Sequence, residues 1–104
     1  MNARITVVGN LAAAAVCKVK KDGTPYHIIT VAANATKGET VYYSCFLYGV
    51  SEERAKLLTQ GSLVYVYGIP SDSIEENPKT GEAFINHAIN VRELEIIYSK
   101  KEGQ

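Results

Sequence analysis

Apolar and aromatic residues alternate with polar ones along most of this chain, at the period of two that is typical of β-strands. Turn-forming residues interrupt the alternation at short intervals, among them Gly9, Asp22-Gly23 and Gly68. Five segments lie between the interruptions and predict five strands. They read RITVVG, YHIITVAAN, TVYYSCFLYG, SLVYVYG and EAFINHAINVRELEII. The fifth segment is long enough to bend around a corner.

One segment departs from this period and predicts a short helix over residues 51–60. Ser51 is placed to accept a hydrogen bond from the amides of the first turn, and the two glutamates after it suit the positive end of the helix dipole. Gly61 favours a stop at the other end. We expect Ala55 and Leu58 to pack against the strands, because they lie on the apolar side of the segment.

Five strands with one helix after the third is the element order of the OB fold, a five-stranded Greek-key barrel. The sequence therefore predicts an all-β fold with one short helix in a single domain, residues 1–98. We expect the polar tail, residues 99–104, to fray. In this fold the usual ligand groove follows the outer face of the second and third strands and the loops beside them.

The third predicted strand is unusual because both of its faces are apolar or aromatic. Tyr42, Phe46 and Tyr48 fall on one face, whereas Tyr43 and Cys45 fall on the other. A half-buried strand needs only one apolar face, so the second face requires a cover. A loop, a second copy of the chain, or a ligand with flat rings would each supply that cover.

Composition narrows the class of function. Eleven basic residues balance eleven acidic ones, so attraction to a charged partner must come from local placement. The motifs GxxxxGK, HExxH and GxSxG do not occur, and we expect no enzymatic activity. Cys17 and Cys45 lack metal-ligand spacing with either histidine, so we expect both to be small buried hydrophobic residues, and we expect neither a metal nor a cofactor. Because the two cysteines form no disulfide framework, we expect a cytoplasmic protein. No apolar run reaches the ~18 residues of a membrane helix.

Taken together, these segments resemble the bacterial single-stranded DNA-binding proteins. The opening NARITVVGNL is similar to that family's first strand, KDGTP to its turn before the second strand, and IITVAAN to the second strand itself. FLYG, LTQGSLVYVYG and AINVRELEII are similar to the ends or bodies of the later strands. The resemblance covers residues 2–98. It implies an OB-fold protein that binds single-stranded DNA with little sequence preference, in replication, recombination or repair.

Position by position, the resemblance implies that bases stack on Tyr42 and Tyr48, with Phe46 between them on the same face. Lys37 falls near a further stacking ring of the family, which this chain lacks, and Arg4 falls where the family has a basic residue. The remaining candidate contacts lie in the first loop and on the fourth strand, and they are Lys18, Lys20, Lys21 and Tyr67. A solvated turn is the other interpretation of the lysines, and contact between subunits is the other interpretation of the tyrosine.

Two departures from the family, the missing ring near Lys37 and an acidic loop, lower the affinity that we expect. Its loop between the fourth and fifth strands often carries basic and aromatic residues, whereas residues 71–82 of this chain carry four acidic residues, one basic residue and no aromatic ring. Its acidic, Phe-ended tail, which recruits partner proteins, does not occur within residues 1–104, so the chain is either a divergent tailless member or continues into a tail beyond Gln104. The implied partners are single-stranded DNA, further copies in a dimer or tetramer, and replication proteins, without a membrane. The alternative is an OB-fold protein-interaction module that resembles the primosomal accessory proteins, with weak or no DNA binding.

Overall fold

The structure is a computed structural model that describes residues 3–34 and 38–101. One helix, α1 (Glu52–Ala55), lies among seven strands, which are β1 (Ile5–Leu11), β2 (Val16–Val19), β3 (Pro25–Asn34), β4 (Thr40–Leu47), β5 (Leu63–Pro70), β6 (Ser73–Glu76) and β7 (Ala83–Tyr98). Strands β1, β5, β7, β4 and β3 pair in that order, and β1 pairs again with β3. Five strands therefore close a barrel, which confirms the predicted OB fold.

Alternation along the strands separates the core from the outer surface. Val64 and Val66 of β5 are fully buried, whereas Tyr65 and Tyr67, which alternate with them, are half-buried on the outer side. Cys45 is buried as predicted, but the same prediction for Cys17 is wrong, because Cys17 lies exposed on β2. The core draws on all five barrel strands and on the segment after α1, and it consists of Val7, Leu11, Ile29, Val31, Cys45, Leu47, Leu58, Val64, Val66, Ile89 and Leu94.

Gly9 and Gly68 lie inside strands and do not form the turns that the sequence predicted. A Cβ atom on Gly9 would stand 2.3 Å from the carbonyl oxygen of Ala32, and one on Gly68 would stand equally close to the carbonyl oxygen of Asn90. Real Cβ atoms do not approach backbone this closely. At each of these positions two backbones pass in contact where the barrel bends. Only glycine, which has no side chain, fits there.

Helix α1 is shorter than the predicted span of residues 51–60. Ser51 caps it as expected, since its hydroxyl accepts a hydrogen bond from the Arg54 amide. The amides of Leu57 and Leu58 then donate hydrogen bonds to carbonyls three residues earlier, where an α-helix would use the fourth. The chain therefore leaves α-helical geometry for a tighter turn. This turn carries the Leu58 side chain into the core, where it is buried. Burial of that leucine ends the helix before Gly61.

Two short strands extend the barrel as hairpins that the sequence analysis missed. Strand β2 pairs with the start of β3, so part of the predicted first loop is an antiparallel strand pair. Strand β6 pairs with residues 83–86 of β7 and forms a projecting hairpin, residues 73–86, which we call the arm. The region predicted to be an acidic loop is thus a formed hairpin, closed by hydrogen bonds between the backbones of Asn77 and Glu82 and of Gly81 and Asn77.

The chain after β7 returns to the end of the barrel near α1. The Ser99 hydroxyl donates a hydrogen bond to the carbonyl of Leu57, and the Lys100 amide donates one to the hydroxyl of Ser62. The predicted fraying is therefore wrong for Ser99 and Lys100, and residues 102–104 lie outside the described part of the chain. No helix within the described residues is both long and apolar enough to cross a bilayer.

Candidate functional site

The outer side of β3 and β4 carries the residues that the sequence singled out. The two strands pair so that Ile28 lies opposite Phe46, Thr30 opposite Ser44, and Ala32 opposite Tyr42. The residues between these pairs point inward and are buried, including Ile29, Val31, Cys45 and Leu47. Because the inner side is fixed in the core, the outer side chains rise from a rigid support.

Three aromatic rings meet at one end of this surface. The rings of Tyr26 and Tyr48 stack with centroids 5.7 Å apart and planes inclined by 28°. The rings of Tyr26 and Phe46 lie 6.4 Å apart at 38°. We call Tyr26, Tyr42, Phe46 and Tyr48 the aromatic face. Distances of this size are typical of attractive aromatic pairs.

Tyr26 is the member of the aromatic face that sequence reasoning missed. It stands second in the segment PYHIITVAAN, which forms β3, and it keeps step at period two with Ile28 and Thr30. That period places it on the outer side, so the signal was present in the sequence. The contact with Tyr48 was not visible there, because it depends on the register between β3 and β4.

A lysine covers part of the aromatic cluster. The Lys20 ammonium nitrogen lies 4.6 Å from the centroid of the Tyr48 ring, within the range of a cation–π interaction. Lys20 begins a tight turn in which its carbonyl accepts a hydrogen bond from the Gly23 amide. The Asp22 carboxylate accepts a hydrogen bond from the Thr24 amide, and this bond, with the charge of Lys20, lowers the pKa of Asp22. The turn therefore holds a positive charge beside a ring.

Tyr42 lies at the other end of the aromatic face. Its side chain is 57% exposed. It stands six residues before Tyr48, so the two tyrosines are separated along the strand by about 20 Å. Between Tyr42 and the ring cluster, the outer residues on the two strands are Ser44 and Thr30, and both are small. The face thus offers one exposed ring at one end and a ring cluster at the other, with small polar side chains between them.

The other predicted contacts are distributed unevenly. Lys18 lies opposite Tyr26 on the neighbouring strand, and Lys21 is exposed in the turn, so both border the cluster. Arg4 is exposed just before β1, and its guanidinium donates a hydrogen bond to the carbonyl of Ala3. Tyr67 lies on β5, which pairs with β1 on one side and with β7 on the other, and its partner on β7 is Glu93. Tyr67 is therefore on a different side of the barrel from the aromatic face. Lys37 lies outside the described residues.

Tyr43 belongs to the opposite side of β4, as its position in the alternation predicts. It packs against the core, and its ring lies 5.6 Å from the ring of His87 on β7. The Nδ1 atom of His87 lies 3.3 Å from a carboxylate oxygen of Asp72. These contacts join the base of the arm to the barrel, so we interpret Tyr43 and His87 as structural.

The Cys45 thiol is a buried titratable group behind the aromatic face. Burial raises the pKa of the Cys45 thiol to about 12, which keeps it protonated and unreactive at neutral pH. Among residues 3–34 and 38–101, no three histidine, cysteine, aspartate or glutamate side chains are grouped as they would be around a metal ion. What the surface offers is flat rings and nearby ammonium groups, which suit a ligand with flat, anionic repeating units.

Comparison with known proteins gives a family match and similar folds. The model of the single-strand binding protein family matches residues 2–97 of this chain. A small single-stranded DNA-binding protein from Streptomyces coelicolor superposes with a TM-score of 0.76 at 19% identity, covering 91% of this chain and 94% of that one. A mitochondrial single-stranded DNA binding protein from S. cerevisiae superposes with a TM-score of 0.70 at 16% identity, covering 96% and 99%. No match was found among curated proteins.

Proposed function

Because the chain belongs to the single-strand binding protein family, we propose that it binds single-stranded DNA across the aromatic face. The observation that carries this proposal is the ring cluster of Tyr26, Phe46 and Tyr48 with the Lys20 ammonium beside it. Stacking platforms next to phosphate-neutralising cations are the two elements of single-strand binding. The cellular role that this activity predicts is protection of single strands during replication, recombination or repair.

In this proposal the two ends of the aromatic face act differently. Tyr42 presents an open ring on which a base stacks directly. Tyr48 is already stacked with Tyr26, so a base arriving there extends an existing stack, and the Lys20 ammonium moves from the ring to a phosphate. Every base has a face that can stack, and no side chain of the cluster reads a base edge in this arrangement. We therefore expect weak sequence preference.

Charge limits the affinity that this surface can reach. Lys18, Lys20 and Lys21 border the ring cluster, but the arm carries Glu75 and Glu76 and the chain has no net charge. Each phosphate neutralised on a single strand contributes a slope of about −0.7 to log K against log salt. With about three lysines in reach, we expect a total slope near −2.

The exposed edge of β1 supports a homo-oligomer as the binding unit. Residues Ile5 to Gly9 pair with β5 on one side, whereas pairing with β3 reaches only Asn10 and Leu11. An edge of this kind favours pairing with another chain, and Val8 is exposed beside it. We expect a dimer or tetramer. Multi-angle light scattering at tens of micromolar tests this, and a monomer mass would contradict it.

The proposal is tested by fluorescence polarisation of a labelled oligo-dT at low salt, followed by a salt titration. Tyr42→Ala and Tyr48→Ala should each weaken binding by about 1–3 kcal/mol, because each removes a stacking platform. Tyr98→Ala is the matched control, since Tyr98 is similarly exposed (61%) but lies at the far end of β7. Its affinity should equal that of the unsubstituted protein.

Absence of binding at low salt would overturn the proposal, as would an affinity that ignores both Tyr42 and Tyr48. Either result would favour the alternative function, an OB-fold module whose aromatic face meets a protein. Circular dichroism of each variant separates loss of contact from loss of fold.

A further inference from the structure

The arm exposes apolar side chains that no core supports. Ile74 and Ile85 lie directly opposite each other across the hairpin, with 79% and 58% of their surfaces exposed. Every residue of β6 is exposed, as are the first three residues of β7. Glu76 shares the face of Ile74 because it stands two residues further along the strand. This face of the arm is therefore apolar at its centre, and toward its tip Glu76 and Glu82 outnumber the single Lys79.

A groove of complementary character lies at the α1 end of the barrel. Its volume is about 820 Å³, and its apolar lining includes Ala14, Pro25, Val50 and Leu57. Three lysines also line it, Lys56, Lys100 and Lys101, against a single acidic residue, Glu52. The exposed thiol of Cys17 lies in the same lining. The groove thus has a partly apolar lining, and the charged residues in it are mainly basic.

The arm and the groove occupy opposite ends of the barrel. The arm leaves where β5 finishes, at Pro70, and where β7 begins. The groove is lined by the segments that follow β1, β4 and β7 and by the start of β3. Since paired strands run the length of the barrel, a copy cannot place its arm in its own groove. A second copy can supply the arm.

We propose that the arm of one copy docks in the α1-end groove of another copy. Ile74 and Ile85 pack against the apolar lining residues, and Glu76 and Glu82 meet Lys56 and Lys101. Burial of exposed apolar surface drives the contact, and charge complementarity selects its orientation. Because the two surfaces differ, the contact is head-to-tail and repeats from copy to copy. It requires no DNA and is independent of the function proposed above.

A cysteine placed on the arm tests this contact directly. In Ile74→Cys the new thiol should form a disulfide with Cys17 of another copy under mild oxidation, whereas Cys45 is buried and takes no part. Each copy then carries one arm thiol and one groove thiol, so non-reducing gels should show a ladder of dimers, trimers and larger species. Dimers that depend on both thiols would also support the contact, in a reciprocal pair.

Two controls decide the outcome. Ile74→Cys combined with Cys17→Ser should lose the cross-linked bands, and bands that persist would overturn the proposal in favour of contact between arms. Glu93→Cys places an exposed thiol on the side of the barrel, away from arm and groove. The proposal also fails if the arm cysteine cross-links no more than this control.

A charge exchange gives a second, non-covalent measurement by sedimentation velocity of the full chain. Glu76→Lys with Glu82→Lys should weaken the concentration-dependent assembly by about tenfold or more, and so should Lys56→Glu with Lys101→Glu. An equimolar mixture of the two variants restores attraction between the reversed arm and the reversed groove, so assembly should return. Failure of the mixture to assemble better than either variant alone would overturn the proposed pairing.

Discussion

The aromatic face and the arm both expose apolar or aromatic side chains, but they differ in what lies behind them. Tyr42 and Ile85 have nearly equal exposure, 57% and 58%. Behind the aromatic face lie buried residues such as Ile29 and Cys45, whereas the arm is a two-stranded hairpin with no buried residue in β6. An exposed ring on a rigid support can stack against a flat ligand. An exposed isoleucine pair on a bare hairpin needs a partner that encloses it.

The largest difference between the two regions should appear in stability. Ile29→Ala removes a buried side chain behind the aromatic face and should lower the free energy of unfolding by about 2–5 kcal/mol. Ile85→Ala makes the same chemical change on the arm and should cost less than about 1 kcal/mol, because no cavity forms. Urea denaturation of both variants measures the contrast. Equal losses would mean that the arm packs on the barrel and is not a separate hairpin.

Removal of one ring from each region should separate their roles in binding. Tyr26→Ala takes the partner of Tyr48 out of the cluster and should weaken oligo-dT binding by about 1–3 kcal/mol. Phe84→Ala removes a ring of the arm with similar exposure to Tyr48 and should change affinity by less than about 0.5 kcal/mol. Polarisation titrations at one salt concentration give both values. A larger loss for Phe84→Ala would move the DNA site to the arm.

Alkaline pH tests whether the inner side of the aromatic face is closed to water. The folded Cys45 thiol has its pKa raised from 9.0 to about 12 by burial, so between these values the unfolded chain binds fewer protons than the folded one. Stability should therefore fall as pH rises through this window, by about 1 kcal/mol at pH 10 for this group. Cys45→Ala should show a smaller fall from pH 8 to pH 10. Cys17→Ala is the exposed control and should behave like the unsubstituted protein.

The smallest effect should come from single charges at the two regions. Lys20→Ala removes one phosphate contact and should make the salt slope shallower by about 0.7. Glu76→Gln on the arm should raise affinity at low salt by less than about 1 kcal/mol and leave the number of phosphate contacts unchanged. Salt titrations of both variants provide the comparison. A slope that does not change in Lys20→Ala would place the DNA away from the Tyr48 end.

Local patterns in the sequence determined the elements of this protein and the side of each strand that faces inward. The alternation of Val64 and Val66 with two tyrosines shows which side enters the barrel, because successive side chains of a strand point to opposite faces. Ser51 marks the start of α1, because its hydroxyl caps an amide only a few residues away. The order of five strands and one helix was enough to predict the OB fold. Each of these signals acts over a few residues, so the sequence displays it directly.

Only the tertiary structure decided which strands meet and where. Gly9 and Gly68 carry the sequence signal of a turn, and their true requirement, a crossing of two backbones, exists only once the barrel closes. The stack of Tyr26 on Tyr48 depends on the register of β3 against β4, and the early end of α1 depends on the core position that Leu58 fills. Register and closure join residues that are far apart in the chain, and a pattern of nearest neighbours does not encode such distances.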